Sequence, residues 1–302
     1  MKFVSQSNVS VPSALEGHPV KGRSLWVDAG RRLRANRAAM VSLAILMTLA
    51  ILVTIGPWLS PYDYETSDWD AILLTPSLTS GHIFGTDFLG RDLFARTLYG
   101  GRISLLVGVA ATLVSLIIGI SYGATAGYLG GRVDSIMMRI VDILYAMPFM
   151  FFVILLMVIF GRNILLIFAA IGAINWLDMA RIVRGQTLSL KQREFVEAAQ
   201  AYGVSSFDIL RRHVIPNLLG VVVVYVTLTI PQVILVESFL SFLGLGVQEP
   251  QTSWGALVND GAQQMETAPW LLVFPALFLA LTLFCFNFIG DGLRDALDPK
   301  DR

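Results

Sequence analysis

The sequence predicts an all-α membrane protein with six transmembrane helices. Of its 302 residues, 55% are apolar and 15% are charged, whereas soluble domains are roughly 45–50% apolar and about 25% charged. The mean hydropathy is +0.67, and several apolar runs approach the roughly 20 residues with which a helix crosses a bilayer. This composition excludes a soluble enzyme and a disordered chain. The single cysteine, Cys285, lies in an apolar run, cannot form an intrachain disulfide, and is expected to pack as a small apolar residue.

The apolar runs divide the chain into a tail and a membrane domain. Residues 1–37 are rich in Lys and Arg and contain no apolar signal segment, so we expect a retained cytoplasmic tail. Residues 38–302 form the predicted membrane domain. Its predicted spans are residues 38–59, 103–126, 143–160, 164–180, 218–236 and 270–289.

The basic residues predict the orientation of these spans, because Lys and Arg are retained on the cytoplasmic side. With the N-terminus inside, 18 of the 22 Lys and Arg residues lie in inner segments. Both termini are therefore predicted to be cytoplasmic. The run 164–180 is the shortest and contains Asn175 and Asp178, and removing it would invert everything that follows.

Small residues predict a close helix contact in the second span. Gly119, Gly123 and Gly127 recur every four residues, which places them on one face of a helix. Such a face lets another backbone approach closely, so we expect a packing seam.

Three carboxylates lie near the ends of predicted spans and are candidate functional residues, because ionisable groups are costly within a membrane. They are Asp142, Asp178 and Glu237. Arg139 precedes Asp142 by three residues and Arg181 follows Asp178 by three, which is also the spacing of structural ion pairs on one helix. Glu237 has no such neighbour and is expected to reach water at the outer edge.

The charged loop 181–217 is predicted to contain two short helices. The first covers residues 191–202 and ends at Gly203, since glycine favours the left-handed conformation after a helix. The second begins with Ser205, which together with Asp208 resembles a capping box, and runs toward Pro216. The first helix has an apolar side, which could lie on lipid or on its own bundle. Its small residues instead favour a close fit into a groove on a partner.

The spacing in this loop resembles the EAA loop of ABC importer permeases. Glu197, Ala198 and Ala199 are followed, after three residues, by Gly203 and later by Pro216. His213 and Ile215 occupy the places where the family pattern has Ile and Leu.

Two other segments resemble the dipeptide and oligopeptide branch of that family. Residues 85–92 read GTDFLGRD, and residues 241–246 and 253–255 read SFLGLG and SWG. Together with the long tail, they resemble the C-type inner-membrane subunits of oligopeptide permeases. From the residues alone, Asp92 and Arg96 could instead pair on an interfacial helix, and Trp254 could be a membrane-belt residue.

The resemblance implies a type I ABC importer permease fold in the bacterial inner membrane. The expected partners are a homologous second permease subunit, one or two cytoplasmic ATPase subunits, a periplasmic peptide-binding protein and membrane lipid, with no nucleic acid. The helix that contains Glu197, Ala198, Ala199 and Gly203 would dock on an ATPase, with His213 and Pro216 in the same loop. The cargo would be oligopeptides, with dipeptides or nickel as alternatives within the same branch.

The chain itself is not expected to be an enzyme. It has no Gly-Lys dipeptide and so no phosphate-binding loop of the Walker type. ATP and Mg²⁺ are therefore expected on the partner ATPases, with no cofactor or metal in this chain. A metalloenzyme is disfavoured because His18, His82 and His213 are scattered, and an ion-coupled carrier because no internal repeat or midplane charge is evident.

Overall fold

Helices of very different lengths pack around one long central helix. The computed structural model describes residues 25–160 and 164–297. A 3₁₀ turn covers Trp69–Ala71 and a π turn covers Leu210–Val214. The α-helices are α1 (Leu25–Ala35), α2 (Arg37–Leu59), α3 (Leu93–Leu129), α4 (Gly131–Ala146), α5 (Phe149–Phe160), α6 (Ile164–Lys191), α7 (Glu194–Ala201), α8 (Ser206–Ile209), α9 (Ile215–Phe242), α10 (Trp254–Gln263) and α11 (Trp270–Leu297).

Within the described ranges, four helical segments are long and apolar enough to cross a membrane. Two of the predicted spans, 143–160 and 164–180, are not among these four segments; they fall on α4 and the 12-residue α5, and on α6. The crossings at 143–160 and 164–180 therefore stay predictions. The four segments are Arg37–Trp58, Leu93–Leu129, Ser206–Phe242 and Trp270–Leu297.

The N-terminal tail contains a helix that the sequence did not predict. Residues 1–24 of the predicted tail lie outside the described residues, but Leu25–Ala35 form α1. This helix packs on α11, where Leu33 lies against Gly292. Asn36 separates α1 from α2, and its side chain accepts a hydrogen bond from the Ala39 N–H at 3.2 Å.

Helix α3 is the central element and is longer than predicted. It begins at Leu93 rather than at residue 103, because Asp92 caps its first turn by accepting a hydrogen bond from the Ala95 N–H at 2.7 Å. It has 37 residues and packs against α2, α6, α9, α10 and α11. At 1.5 Å per residue, the two ends of α3 are about 55 Å apart.

The predicted glycine seam is confirmed, and its partner is α6. Gly119 lies against the side chain of Met179, and Gly123 lies against the backbone of Ala180. A side-chain carbon added at Gly123 would stand 3.0 Å from the carbonyl carbon of Ala180, so the two helices are in backbone contact there. Gly127 continues the same contact one turn later.

The second short helix, predicted to run toward Pro216, is continuous with the span predicted from residue 218. Helical structure continues from Ser206 to Phe242, and Pro216 lies in the first turn of α9, where a proline costs no intrahelical hydrogen bond. The π turn Leu210–Val214 directly precedes α9 and accommodates Pro216 within the continuous helix. The predicted helix over 191–202 is divided, since α6 runs through Lys191 and α7 begins afterwards.

Candidate functional site

Helix α7 lies at the end of the bundle where α3 and α6 terminate, and one of its faces is buried. Val196 and Ala199 pack into a core formed with Tyr128, Ile209 and Val214. The sequence had suggested that both alanines face a partner. Only Ala198 is exposed, whereas Ala199 is 8% exposed and packs on its own bundle.

Polar contacts hold α7 and its flanking residues against the end of α3. The Nζ of Lys191 donates to the carbonyl oxygen of Tyr128 at 2.6 Å, and the Nε2 of Gln200 donates to the Tyr128 hydroxyl at 3.3 Å. Nearby, Arg184 of α6 donates two hydrogen bonds to Asp134 of α4, at 2.5 and 2.6 Å. These bonds hold the pKa of the Asp134 carboxyl below its usual value. Helices α3, α4, α6 and α7 are therefore tied together at this end.

The turn after α7 has the geometry that the sequence predicted. Gly203 has a φ of +73°, in the left-handed region, and it ends the helix. Ser205 caps the next helix, because its hydroxyl oxygen accepts a hydrogen bond from the Asp208 N–H at 3.2 Å. His213 is half-buried in the π turn, and its carbonyl oxygen accepts a hydrogen bond from Asn217 at 2.6 Å.

The outer face of α7 and the following turn expose apolar side chains. Tyr202 is 88% exposed and Phe207 is 70% exposed, while Glu197 is exposed on the same short helix. Clustered apolar exposure of this kind is typical of interaction sites rather than of free surface. We name the exposed set the α7 surface; it consists of Phe195, Ala198, Tyr202, Val204 and Phe207.

A second cluster of charges lies at the opposite end of α3. Arg91 donates from Nε to Asp87 at 2.7 Å and from Nη2 to Glu249 at 2.9 Å. Arg96, whose side chain is only 1% exposed, lies 3.4 Å from the same Asp87 carboxylate and 3.7 Å from Glu249. The hydrogen bond from Arg91 lowers the pKa of Glu249. We name these four residues the arginine cluster.

The GTDFLGRD segment builds this cluster by folding on itself. One oxygen of Asp87 accepts hydrogen bonds from the backbone N–H groups of Leu89 and Arg91, at 2.8 and 2.9 Å. Asp92 pairs with the Nδ1 of His82 at 2.9 Å. The alternative pair between Asp92 and Arg96 is therefore wrong. The sequence missed Arg96 and Glu249 as partners because they meet only through the tertiary fold.

Glu237 does not reach water, which corrects the sequence prediction. It is fully buried, and its carboxylate accepts hydrogen bonds from Ser241 at 2.7 Å and from Ser104 at 3.3 Å. Trp254 is equally buried rather than in a membrane belt, and its indole N–H donates to the Thr97 carbonyl at 2.9 Å. Glu237 thereby joins α3 to the C-terminal part of α9, and Trp254 joins α3 to α10.

The two remaining carboxylates also differ from the predicted pairing. Arg181 of α6 pairs with Asp142 of α4 at 2.9 Å, across two helices rather than along one. Its guanidinium also lies 4.4 Å from the ring centroid of Tyr145. Asp178 lies in the middle of α6, since that helix continues to Lys191, and it lines a cavity beside Tyr145.

Two family models match the chain. Residues 115–302 match the binding-protein-dependent transport system inner membrane component, and residues 24–76 match the N-terminal TM domain of oligopeptide transport permease C. The first match includes α7 and its surface, while the second covers α1, α2 and the start of the following loop.

Alignments to similar proteins cover at least 91% of this chain in the three cases that follow. The oligopeptide transport system permease protein OppC of Escherichia coli K12 is 64% identical over 302 residues, which is all of both chains. The protein of the same name from Haemophilus influenzae is 61% identical over 99% of this chain and 95% of its own. The dipeptide transport system permease protein DppC of Bacillus subtilis is 50% identical over 91% of this chain and 86% of its own. This chain therefore belongs to the binding-protein-dependent transport system inner membrane component family of ABC transporter permeases.

Proposed function

We propose that this chain is the permease subunit of an ATP-driven importer that moves oligopeptides from the periplasm into the cytoplasm. The observation that carries this proposal is the 64% identity, over the whole of both chains, to a protein named as an oligopeptide transport permease. Oligopeptides are therefore the favoured cargo.

The proposal includes six membrane crossings with both termini in the cytoplasm. In this arrangement α4 and α5 together form the third crossing, interrupted at Pro148, and α6 forms the fourth. The distribution of Lys and Arg supports it, because the tail and the loop 181–217 hold most of them. The α7 surface is then cytoplasmic, and the arginine cluster is periplasmic.

The α7 surface is the proposed contact with the ATPase. Gln200 of α7 and Lys191 at the end of α6 both bind Tyr128 of α3, while Ala198 and the following Tyr202 are exposed. A short helix that is fixed to its own bundle can pass on the movement of a partner on which it docks. Glu197 would contact the partner or cap the helix, and Gly203 would let the chain turn away from the contact.

The other loop residues have supporting roles in this proposal. Ala199 fixes α7 to the bundle, His213 contributes to the loop, and Pro216 lies in the first turn of α9 after the π turn. ATP and Mg²⁺ would be bound by one or two separate ATPase subunits. The chain itself would hold no cofactor and would hydrolyse no ATP.

Two further partners complete the proposed assembly. A second, homologous permease would enclose the pathway with this chain, and the exposed apolar side chains of α4 and α5, such as Ile140 and Phe151, would meet it or lipid. A periplasmic binding protein would deliver peptide at the end that carries the arginine cluster.

The proposal is tested by uptake and co-purification. A tagged chain, produced in cells that lack the native copy, should restore uptake of a labelled oligopeptide and should co-elute with a second permease and ATPases. Ala198→Trp should abolish uptake and ATPase co-elution, whereas Val27→Trp, at an exposed position of α1, should leave both intact. Uptake that survives ATP depletion but fails when the ion gradient is removed would contradict the proposal.

A further inference from the structure

A cavity of about 290 Å³ lies between α4, α5 and α6. Most of its wall is apolar, and includes Leu144, Phe152, Ile174 and Leu177. Its volume is near the lower limit of ligand pockets, about 300 Å³. The space is therefore suited to one end of a flexible molecule rather than to a whole peptide.

Two side chains of the cavity, Asp178 and Asn175, offer hydrogen-bond acceptors. Asp178 contributes a carboxylate from the middle of α6. The amide nitrogen of Asn175 already donates to the Ile171 carbonyl at 2.9 Å, which leaves its amide oxygen for another donor. Arg181 is engaged with Asp142 at 2.9 Å. A positively charged donor would therefore find acceptors in this cavity.

The break between α4 and α5 adds negative potential to the same space. Helix α4 ends at Ala146, and Pro148 supplies no N–H, so the Met147 N–H instead bonds the Leu144 carbonyl at 3.2 Å. The last carbonyl groups of a helix carry the negative end of its dipole. Interrupted backbone at membrane depth is tolerated where it lines a cavity, and such breaks often occur at transport sites.

The position of Asp178 is unusual for a purely structural carboxylate. Ionisable side chains within membrane helices usually face the interior of the bundle or a pathway. Asp178 is half-buried and lines the cavity together with Leu144 and Tyr145 of α4. The carboxylate therefore lies on the side of α6 that faces neighbouring helices.

We propose that this cavity binds a primary ammonium group of the transported peptide, with Asp178 as its counter-charge and the apolar wall around the adjoining side chain. This inference rests on the proposed function, because it names the part of the cargo that meets this chain. The ammonium group can come from the peptide amino terminus or from a lysine side chain. The amino terminus of a peptide with a small first residue fits the volume best.

The first experiment measures uptake of labelled trialanine by cells with the complete transporter. Asp178→Asn should lower the rate at least tenfold, because it removes the counter-charge without changing the volume. Asp178→Glu should retain about half of the rate. Asp291→Asn, an exposed carboxylate of α11 that does not line the cavity, is the matched control and should transport normally. Normal uptake by Asp178→Asn would overturn the inference.

The second experiment detects occupancy without changing Asp178. Ile174→Cys is introduced into a Cys285→Ala background, and the purified complex is labelled with N-ethylmaleimide. Trialanine should slow the labelling at least fivefold, and N-acetyl-trialanine, which has no ammonium group, should not. Slowing by N-acetyl-Ala-Ala-Lys as well would support binding of an ammonium group from either source. Equal labelling with and without trialanine, or equal protection by N-acetyl-trialanine, would overturn the inference.

The two experiments separate this inference from the proposed function. Absence of trialanine uptake by the wild-type transporter would contradict oligopeptide import itself. Normal wild-type uptake, combined with no effect of Asp178→Asn and no protection at residue 174, would contradict only the cavity assignment. Co-elution of each variant with the second permease verifies that the variant is assembled.

Discussion

Arg91 and Glu249 are separated by 158 residues in the sequence, yet their Nη2 and Oε1 atoms lie 2.9 Å apart. The pair joins the segment before α3 to the loop between α9 and α10. The same guanidinium binds Asp87, which is almost completely buried, whereas the side chain of Glu249 is 56% exposed. The two acidic partners of one arginine therefore differ in how much water they retain.

This difference predicts unequal effects of two matched substitutions. Asp87→Asn should lower the free energy of unfolding by about 3 kcal/mol, because it leaves the two buried guanidinium groups with only the half-exposed Glu249 as a counter-charge. Glu249→Gln should cost less than about 1 kcal/mol, because a pair with an exposed partner is weak. Thermal unfolding of the purified transporter measures both, and equal losses of stability would contradict the assignment.

Asp260 predicts a dependence of stability on pH. Burial raises the pKa of this carboxyl group from its ordinary value of 3.8 to about 6. The folded protein therefore holds this proton more tightly than the unfolded chain does, and the stability contributed by Asp260 falls as the pH rises from about 4 to about 6. Above about pH 6, the full loss of stability caused by the buried, ionised Asp260 remains.

Asp260→Asn should remove this penalty. The variant should exceed the wild type by about 2 kcal/mol at pH 7.5, after allowance for partial exposure, and should match it at pH 4. Unfolding curves recorded across this range provide the measurement. Glu266→Gln, at an exposed position in the loop after α10, is the control and should show no such pH-dependent gain.

The seam between α3 and α6 predicts opposite results for two glycines. Gly123→Ala should destabilise the protein by about 1–3 kcal/mol, because the new methyl group would meet the backbone of Ala180. Gly185→Ala should stabilise it by up to about 1 kcal/mol, since no heavy atom lies within 4 Å and alanine favours a helix. Melting temperatures of the two variants test the contact. A harmless alanine at Gly123 would show that the helices are not in backbone contact.

The turn at Gly203 predicts a loss of transport without loss of the protein. A bulky β-branched residue is strained at a φ of +73°, so Gly203→Val should displace the α7 surface while the membrane helices remain intact. We expect normal abundance in the membrane and at least a tenfold loss of oligopeptide uptake. Gly220→Ala, at a helical position where no heavy atom lies within 4 Å, is the control. Normal uptake by Gly203→Val would contradict the coupling role that we propose for this turn.

Local signals were sufficient for the elements that depend on adjacent residues. The apolar run 38–59 coincides with α2, the glycine repeat forms the seam with α6, and Ser205 caps α8. In each case the deciding interaction is encoded within a few residues: continuous hydrophobicity, a period of four, or a hydroxyl before a helix. Such features do not require knowledge of the remaining fold.

Long-range contacts explain the errors. Asp92 and Arg96 have the spacing of a pair on one helix, yet Asp87 and Glu249 are the acidic groups that lie beside Arg96 in three dimensions. Arg181 and Asp178 have the spacing of a helical ion pair, yet Asp142 on another helix is the actual partner. No pattern in a single sequence identifies these ion-pair partners, because each pair depends on how separate segments pack together.

Because α3 is one continuous helix, a movement at one of its ends is transmitted to the other. Its first turn contains Arg96 of the arginine cluster, and its last turn contains Tyr128, to which Lys191 and Gln200 hold α7. The helix contains no proline at which it could bend independently. In the proposed topology, an antibody fragment bound at the arginine cluster would consequently restrain α7 on the opposite side of the membrane.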